Sequence, residues 1–212
     1  MSNGYSLWSK YSNNHLFDLI KLHIGMFFVF VIACIKERNE FLENRKRTNM
    51  ENGTKNAIDI SRYIINKCHK QSFSITNFKL QKLLYFAQGF SLALTDTPLF
   101  YNEIEAWDFG PVIPDVYREY KMFGANEIPV IDSYYDIDYD SESFLKLVEF
   151  DENIFSEVQK LIMDAVVNQY AGFTAVALVS ITQKQKPWID SYDKEPTISK
   201  SRVSNYFRTM IN

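Results

Sequence analysis

The sequence predicts a mainly α-helical domain with a small β element, an α+β fold, over residues 50–212. Apolar residues recur at helical spacing in several segments of this range, whereas the alternation typical of a strand is confined to one short segment at 103–109. With 46% hydrophobic and 23% charged residues, the chain has a globular composition. Its 212 residues are enough for one domain of ordinary size and an additional segment.

The first predicted helix covers Ala57–Lys70. Ile60, Ile64 and Cys68 lie on one face of it. Asp59 lies near the positive N-terminal end of the helix dipole, and basic residues lie near its negative C-terminal end, so both charges are favourably placed. The pattern predicts a helix that packs on a core through one face.

The second predicted helix covers residues 78–94, and Ser74 or Thr76 is expected to cap it. Leucine and alanine residues form an apolar stripe along one side. Across the helix lies a second stripe of three residues spaced i, i+4 and i+7: Gln81, Tyr85 and Gln88. Gly89 costs a helix about 1 kcal/mol relative to alanine. Its presence therefore indicates that another element packs closely there.

Further elements follow along the chain. They are, in order, a strand at 103–109, a turn at Gly110-Pro111, a helix from Pro114 closed by Gly124, an acidic connection at 128–150, a helix from Ile154 to Gly172, a helix from Thr174 that stops before Pro187, and a final helix over Ser199–Met210. The D-x-D-x-D at 136–140 is similar to the start of an EF-hand loop, but Ser141 and Leu147 replace the Gly and Glu that such a loop needs. We expect a solvated acidic loop there.

Residues 1–49 form a separate unit from the domain at 50–212. Their uninterrupted apolar run, Ile24–Ile35, has 12 residues and is too short to span a bilayer of roughly 30 Å as a helix. Three interpretations compete: a weak membrane anchor with the domain on the cytoplasmic side, a cleaved signal, and a translation start at Met50 that leaves residues 1–49 out of the working protein. We favour the third, because a self-sufficient domain pattern begins directly after Met50.

The residue pattern does not indicate catalysis or a metal site. Cys34 and Cys68 are too few for a thiolate zinc site, and the histidines do not cluster with them. Glu103 and Glu105 point the same way on the predicted strand, so a hydrolase could use them if they faced a pocket. A solvent-facing strand edge explains them more simply. The sequence therefore predicts no enzyme, no cofactor and no metal.

Four motifs in the domain resemble one protein family. They are K-L-Q-K-L-L-Y-x-A-Q at 79–88, P-L-F at 98–100, E-A-W-x-x-G-P-V-x-P-x-V-Y at 105–117 and K-P-W at 186–188. Their order and spacing resemble the Panacea domain of SocA-like antitoxins, also met as phage-associated or GepA-type proteins. The resemblance extends from Ala57 to Phe207 and implies a compact helical Panacea-type domain. In one departure, Gln183 stands where family members tend to have a histidine, which puts a role for that histidine in doubt here.

The resemblance implies a binding protein, the antitoxin of a two-gene toxin–antitoxin system in the cytoplasm. Its implied partner is a protein toxin encoded by a neighbouring gene and neutralised by direct contact. Some members resemble proteolytic adaptors, so an ATP-dependent protease is a further implied partner. The alternative is a regulator derived from a phage or mobile element that binds nucleic acid. The net charge is −3, and the sequence has no basic recognition helix. Both observations argue against nucleic-acid binding.

The candidate site residues lie in these motifs. They are Lys79, Gln81, Lys82, Tyr85, Gln88, Trp107, Gly110, Pro111, Pro114 and Tyr117. Our hypothesis for the polar stripe and its flanking lysines has two alternatives: the stripe contacts a partner, or it holds the 107–114 segment by satisfying backbone groups. Trp107 is more typical of a core than of an interface. The glycine and the two prolines are expected to set the backbone shape.

Overall fold

The computed structural model describes residues 54–137 and 144–211. In these ranges the chain forms seven α-helices and two antiparallel sheets of two strands each. The helices are α1 (Ala57–Lys70), α2 (Asn77–Thr95), α3 (Pro114–Tyr120), α4 (Glu157–Tyr170), α5 (Ala175–Gln183), α6 (Lys186–Ser191) and α7 (Lys200–Ile211). The strands are β1 (Glu105–Trp107), β2 (Gly110–Val112), β3 (Ser133–Ile137) and β4 (Leu145–Glu149). The predicted fold class, mainly α with a small β element, is confirmed.

Helix α2 is the centre of the fold. Helices α1, α3, α4, α5 and α7 and strand β2 all pack against it, and nearly all of its side chains are buried. Because a helix surrounded in this way has little solvated surface, its buried polar side chains need partners inside the protein. Thr76, one of the two predicted caps, accepts a hydrogen bond from Lys79 N at 3.4 Å.

Helix α7 packs against α2 at Gly89. The Phe207 ring of α7 lies 5.4 Å from the Tyr85 ring and 4.9 Å from the Phe90 ring, measured between centroids. A Cβ at Gly89 would overlap the Phe207 ring. The prediction that Gly89 marks the close approach of another element is confirmed, since only glycine leaves room for this ring.

The predicted strand at 103–109 is one half of a hairpin. Strands β1 and β2 pair in a register that places Trp107 opposite Gly110, with a two-residue turn between them. The predicted turn at Gly110-Pro111 is therefore wrong, because both residues belong to β2. Gly110 follows the turn with φ at +90°, a conformation that favours glycine. Proline is tolerated at position 111 because each strand of a two-stranded sheet has one edge without a partner strand, where the N–H that proline lacks is not needed for pairing.

The acidic connection at 128–150 contains the second hairpin, β3–β4. Two of its five paired positions carry exposed apolar side chains, Tyr135 with Leu147 and Ile137 with Leu145. The prediction of a solvated loop is wrong for these residues, because alternating apolar side chains on both sides of the acidic run favour strand pairing. Residues 138–143, with most of the EF-hand-like stretch, lie outside the described residues.

Two predicted helix boundaries are corrected by the structure. Ile154 lies in a 3-10 turn, and α4 begins only after Ser156, which forms a capping box with Gln159. Pro187 does not end a helix, since α5 already ends at Gln183. It lies instead in the first turn of α6, where a helix does not need the N–H that proline lacks.

The predicted apolar run at 24–35 lies outside the described residues. In the part of the chain that the structure describes, no single helix combines the length and the apolar character needed to cross a membrane. Helices α4 and α5 meet both criteria only as a pair, and the chain bends by 107° between them. Such a pair is weak support for a membrane span, because core helices share the same composition.

Candidate functional site

A pocket of about 530 Å³ opens beside the β1–β2 hairpin. The N-terminal half of α2, the hairpin and α3 form its walls. The lining residues are Phe78, Gln81, Lys82, Ala106, Trp107, Asp108, Phe109, Val112 and Tyr117. Four of them are residues singled out from the sequence: Gln81, Lys82, Trp107 and Tyr117. A concave, mostly apolar cavity with a few polar groups is the usual form of a binding site.

Two aromatic pairs form the rim of the pocket. The ring centroids of Phe78 and Phe109 are 5.6 Å apart, and those of Trp107 and Tyr117 are 5.1 Å apart, both in edge-to-face geometry. Phe78, Trp107 and Phe109 expose 41%, 37% and 59% of their surface. The expectation that Trp107 is a core residue is wrong, because the hairpin presents its ring at the surface. Exposed aromatic side chains held in this way are typical of protein interfaces.

Lys82 forms the floor of the pocket. It is 1% exposed, and its Nζ donates a hydrogen bond to Pro111 O at 2.8 Å. Burial lowers the pKa of Lys82 to about 7, and among the described residues no charged neighbour offsets this effect. The pocket therefore contains a desolvated amine that is only partly protonated near neutral pH.

Gln81 connects α2 to the segment between β2 and α3. Its Oε1 accepts a hydrogen bond from Ile113 N at 2.8 Å, and its Nε2 donates to Asn77 Oδ1 at 2.9 Å. Asn77 in turn donates to Tyr117 O at 3.0 Å. These contacts fit the alternative in which the polar stripe holds the 107–114 segment.

Three of the predicted site residues on α2 lie away from the pocket. Gln88 contacts the backbone of the P-L-F turn, where its Oε1 accepts from Leu99 N at 2.8 Å and its Nε2 donates to Phe100 O at 2.9 Å. Tyr85 is buried against α7, and burial raises the pKa of its phenol well above the usual value. The Nζ of Lys79 donates to Ser74 O at 2.9 Å. The stripe is thus buried along its length rather than exposed on one face.

The C-terminal part of the domain fixes the turn of the β1–β2 hairpin. Trp188 of the K-P-W motif donates through Nε1 to Trp107 O at 2.9 Å. Gln183 donates to Asp108 O at 2.6 Å, and Tyr192 Oη donates to Asp108 Oδ1 at 3.0 Å. Gln183 therefore has a structural contact of its own. The motifs at 105–117 and 186–188 meet at this turn.

The glycine and prolines of the third motif shape the wall of the pocket. A Cβ at Gly110 would lie 2.7 Å from Thr182 Oγ1 and 3.2 Å from Lys82 Nζ, so glycine allows β2 to lie against both. Pro111 provides the carbonyl that accepts from Lys82. Pro114 occupies the first turn of α3, as its fixed φ favours. All three act on the backbone.

The carboxylate pair of the hydrolase alternative is not in the pocket. Glu105 accepts a hydrogen bond from Trp107 Nε1 at 2.7 Å, and neither Glu103 nor Glu105 lines the cavity. Within residues 54–137 and 144–211, no three His, Cys, Asp or Glu side chains are grouped closely enough to hold a metal ion. The pocket is thus suited to binding through apolar contact and one amine.

Phe78 and Tyr192 belong to the site but are not among the residues predicted from the sequence. Phe78 precedes the first motif, and its partner in the rim is 31 positions away in the chain. Tyr192 contacts a residue 84 positions away. No local periodicity signals contacts of this range, so only the folded chain identifies them.

The pocket lies almost entirely within the part of the chain that matches a protein family. A family model described as "Antitoxin SocA-like, Panacea domain" matches residues 80–189. The chain belongs to this family. Of the residues that line the pocket, only Phe78 lies outside the matched range. The resemblance to the Panacea domain that was inferred from the four motifs is confirmed.

A curated relative covers a shorter stretch of the Panacea domain. Antitoxin SocA of Caulobacter vibrioides (strain NA1000 / CB15N) is 43% identical over 67 residues, which are 32% of this chain and 34% of that protein. The match thus spans about a third of the length of the relative. No solved structure matches the chain significantly.

The buried amine of Lys82 is expected to make stability depend on pH. Its pKa is lowered from 10.5 to about 7 in the folded protein, so the unfolded chain binds more protons between these values and stability rises with pH. From pH 7 to pH 9 this group should add about 2 kcal/mol to the free energy of unfolding. Urea unfolding at both pH values should show this gain in the wild type and not in Lys82→Met. An equal gain in the variant would contradict the assignment.

Proposed function

We propose that this protein is an antitoxin that neutralises a protein toxin by direct binding, and that the pocket beside the β1–β2 hairpin is where the toxin docks. Membership of the Panacea family supports the antitoxin role. The aromatic rim supports the docking site, since exposed aromatic side chains contribute most of the binding energy in many protein interfaces. The toxin is the product of a neighbouring gene, and the complex forms in the cytoplasm.

The observation that carries this proposal is the fixed position of the aromatic rim. Trp188, Gln183 and Tyr192 all donate hydrogen bonds to the turn between Trp107 and Phe109. A rim that is already ordered loses little conformational entropy when a partner binds. The pocket is therefore prepared for binding in the free protein.

The proposal is tested by capture of the partner. The tagged full chain is expressed from its native locus with the neighbouring gene intact, and the captured proteins are identified by mass spectrometry. We expect the product of the neighbouring gene to be captured, and viability to fall when only this gene is silenced. A bait without a partner, together with no cost of silencing, would contradict the antitoxin role and favour a test of DNA binding.

Replacing Trp107 by alanine is expected to weaken binding of the captured partner by about thirtyfold, equivalent to about 2 kcal/mol, because it removes half of one rim pair. Tyr135→Ala is the matched control, since Tyr135 is also an exposed aromatic residue but lies on the β3–β4 hairpin. Calorimetric titration measures both affinities, and melting curves verify that both variants fold. A loss only in Tyr135→Ala would place the interface on the β3–β4 hairpin instead.

The role of a protease is tested in the same strain. If the protein acts as an adaptor for an ATP-dependent protease, the half-life of the toxin should be shorter when the antitoxin is present. An unchanged half-life with full protection of the cells would indicate neutralisation by binding alone.

A further inference from the structure

The ammonium group of Lys82 has more hydrogen-bond donors than described partners. It has three N–H donors, and the described structure pairs Nζ only with Pro111 O. Two other acceptors on lining residues each have a different donor, since Gln81 Oε1 accepts from Ile113 N and Asp108 Oδ1 accepts from Tyr192 Oη. A buried ammonium without an opposite charge is unfavourable unless something else compensates it.

The walls around Lys82 limit what could bind to it. Lys82 is the single cationic residue among those that line the pocket, and the other lining side chains are mainly aromatic or aliphatic. A phosphate group usually requires several donors, such as an arginine fork or a set of backbone N–H groups. A carboxylate on a short apolar stem needs only one cation and apolar walls.

We propose that the toxin inserts an aspartate or glutamate side chain into this pocket and that its carboxylate pairs with Lys82. The inference rests on the proposed function, because it specifies which group of the partner enters the docking site. The amine was desolvated when the protein folded, so the pair forms without a further cost for stripping water from Lys82. The stem of the acidic side chain then packs between the Phe78–Phe109 and Trp107–Tyr117 pairs.

A small-molecule probe tests this chemistry without the toxin. We would titrate 3-phenylpropionate and its uncharged analogue 3-phenylpropanamide into the full chain at pH 6 and follow both by calorimetry. We expect the acid to bind at least tenfold more tightly than the amide. In Lys82→Met this preference should disappear. Lys79→Met is the matched control, because Lys79 is a largely buried lysine of the same helix that does not line the pocket, and it should keep the preference.

A pH series provides a second readout. The pKa of Lys82 is lowered to about 7, so the amine is largely neutral at pH 9 and the acid should bind at least tenfold more weakly there than at pH 6. The other titratable side chains that line the pocket are Asp108 and Tyr117. The same pH series in Lys82→Met separates the contribution of the amine from theirs. The change in affinity therefore reports on the amine.

The outcomes separate this inference from the proposed function. Equal affinities for the acid and the amide, or a preference that persists in Lys82→Met, would overturn the carboxylate pairing even if the toxin is captured. A clear acid preference without any captured toxin would overturn the proposed function and leave the chemistry of the pocket in place. With both results positive, Lys82→Met should also weaken toxin binding by at least tenfold.

Discussion

Replacing Gln88 by leucine is expected to lower the free energy of unfolding by about 4 kcal/mol, because the substitution leaves buried backbone groups without partners at a cost of about 1–3 kcal/mol each. Gln88 Oε1 accepts from Leu99 N and Phe100 N at 2.8 and 3.1 Å, and its Nε2 donates to Phe100 O at 2.9 Å. Leucine fills a similar volume but can replace none of these three hydrogen bonds. The loss would therefore arise from hydrogen bonding rather than from a cavity.

Urea unfolding of Gln88→Leu at pH 7 measures this effect. Gln71→Leu is the matched control, because the Gln71 side chain donates one hydrogen bond to Asn168 at the surface, where water replaces a lost partner. We expect the control to change stability by less than about 0.5 kcal/mol. Similar losses in the two variants would show that Gln88 does not hold the turn at Leu99–Phe100.

Replacing Gly89 by alanine is expected to destabilise the fold by about 3 kcal/mol, the upper part of the usual range for overpacking a core. In an exposed helix the same change would stabilise by about 1 kcal/mol through helix propensity. Here the added methyl group overlaps the Phe207 ring. That ring cannot move freely, because Tyr85, Phe86 and Phe90 surround it.

A double-mutant cycle with Phe207→Leu tests the cause. If the clash is responsible, adding Gly89→Ala to the Phe207→Leu protein should cost far less than adding it to the wild type, because the smaller side chain leaves room for the methyl group. Thermal unfolding of the four proteins measures this coupling. Additive losses would show that the destabilisation comes from the helix itself and not from the contact between α2 and α7.

The helices with strong local signals could be predicted from the sequence. The prediction for α1 matches its observed bounds, and the prediction for the last helix, Ser199–Met210, differs from Lys200–Ile211 by one residue at each end. In both cases a clear apolar stripe lies between polar ends, so periodicity and end signals agree. Gly89 could also be interpreted correctly, because a glycine inside a strong helix needs a packing reason.

The hairpins were harder to predict because their strands are short. Strands β1 and β2 have three residues each, too few for a clear alternation, and Gly110-Pro111 carries the composition of a turn. The hairpin also depends on distant contacts such as that from Trp188, which lies 81 positions from Trp107 in the chain.

The candidate site could be predicted only in part. The four motifs identified Lys82, Trp107 and Tyr117, which do meet at one pocket. The sequence alone does not show whether Lys82 is buried or exposed, because its burial depends on where β2 packs against α2. The sequence also left two roles open for Gln81, contact with a partner or support of the 107–114 segment. The hydrogen bond from Ile113 N to Gln81 Oε1 in the structure favours the second role.

The contacts that fix the hairpin turn also set the order of events during synthesis. Helix α2 and the hairpin leave the ribosome early, but Gln183, Trp188 and Tyr192 follow much later. Because a domain acquires its long-range contacts only when its last segments are available, a nascent chain that ends before residue 183 would lack a fixed rim. If the rim binds a toxin as proposed, recognition would begin only after Tyr192 has been synthesised, and shorter translation products would not bind.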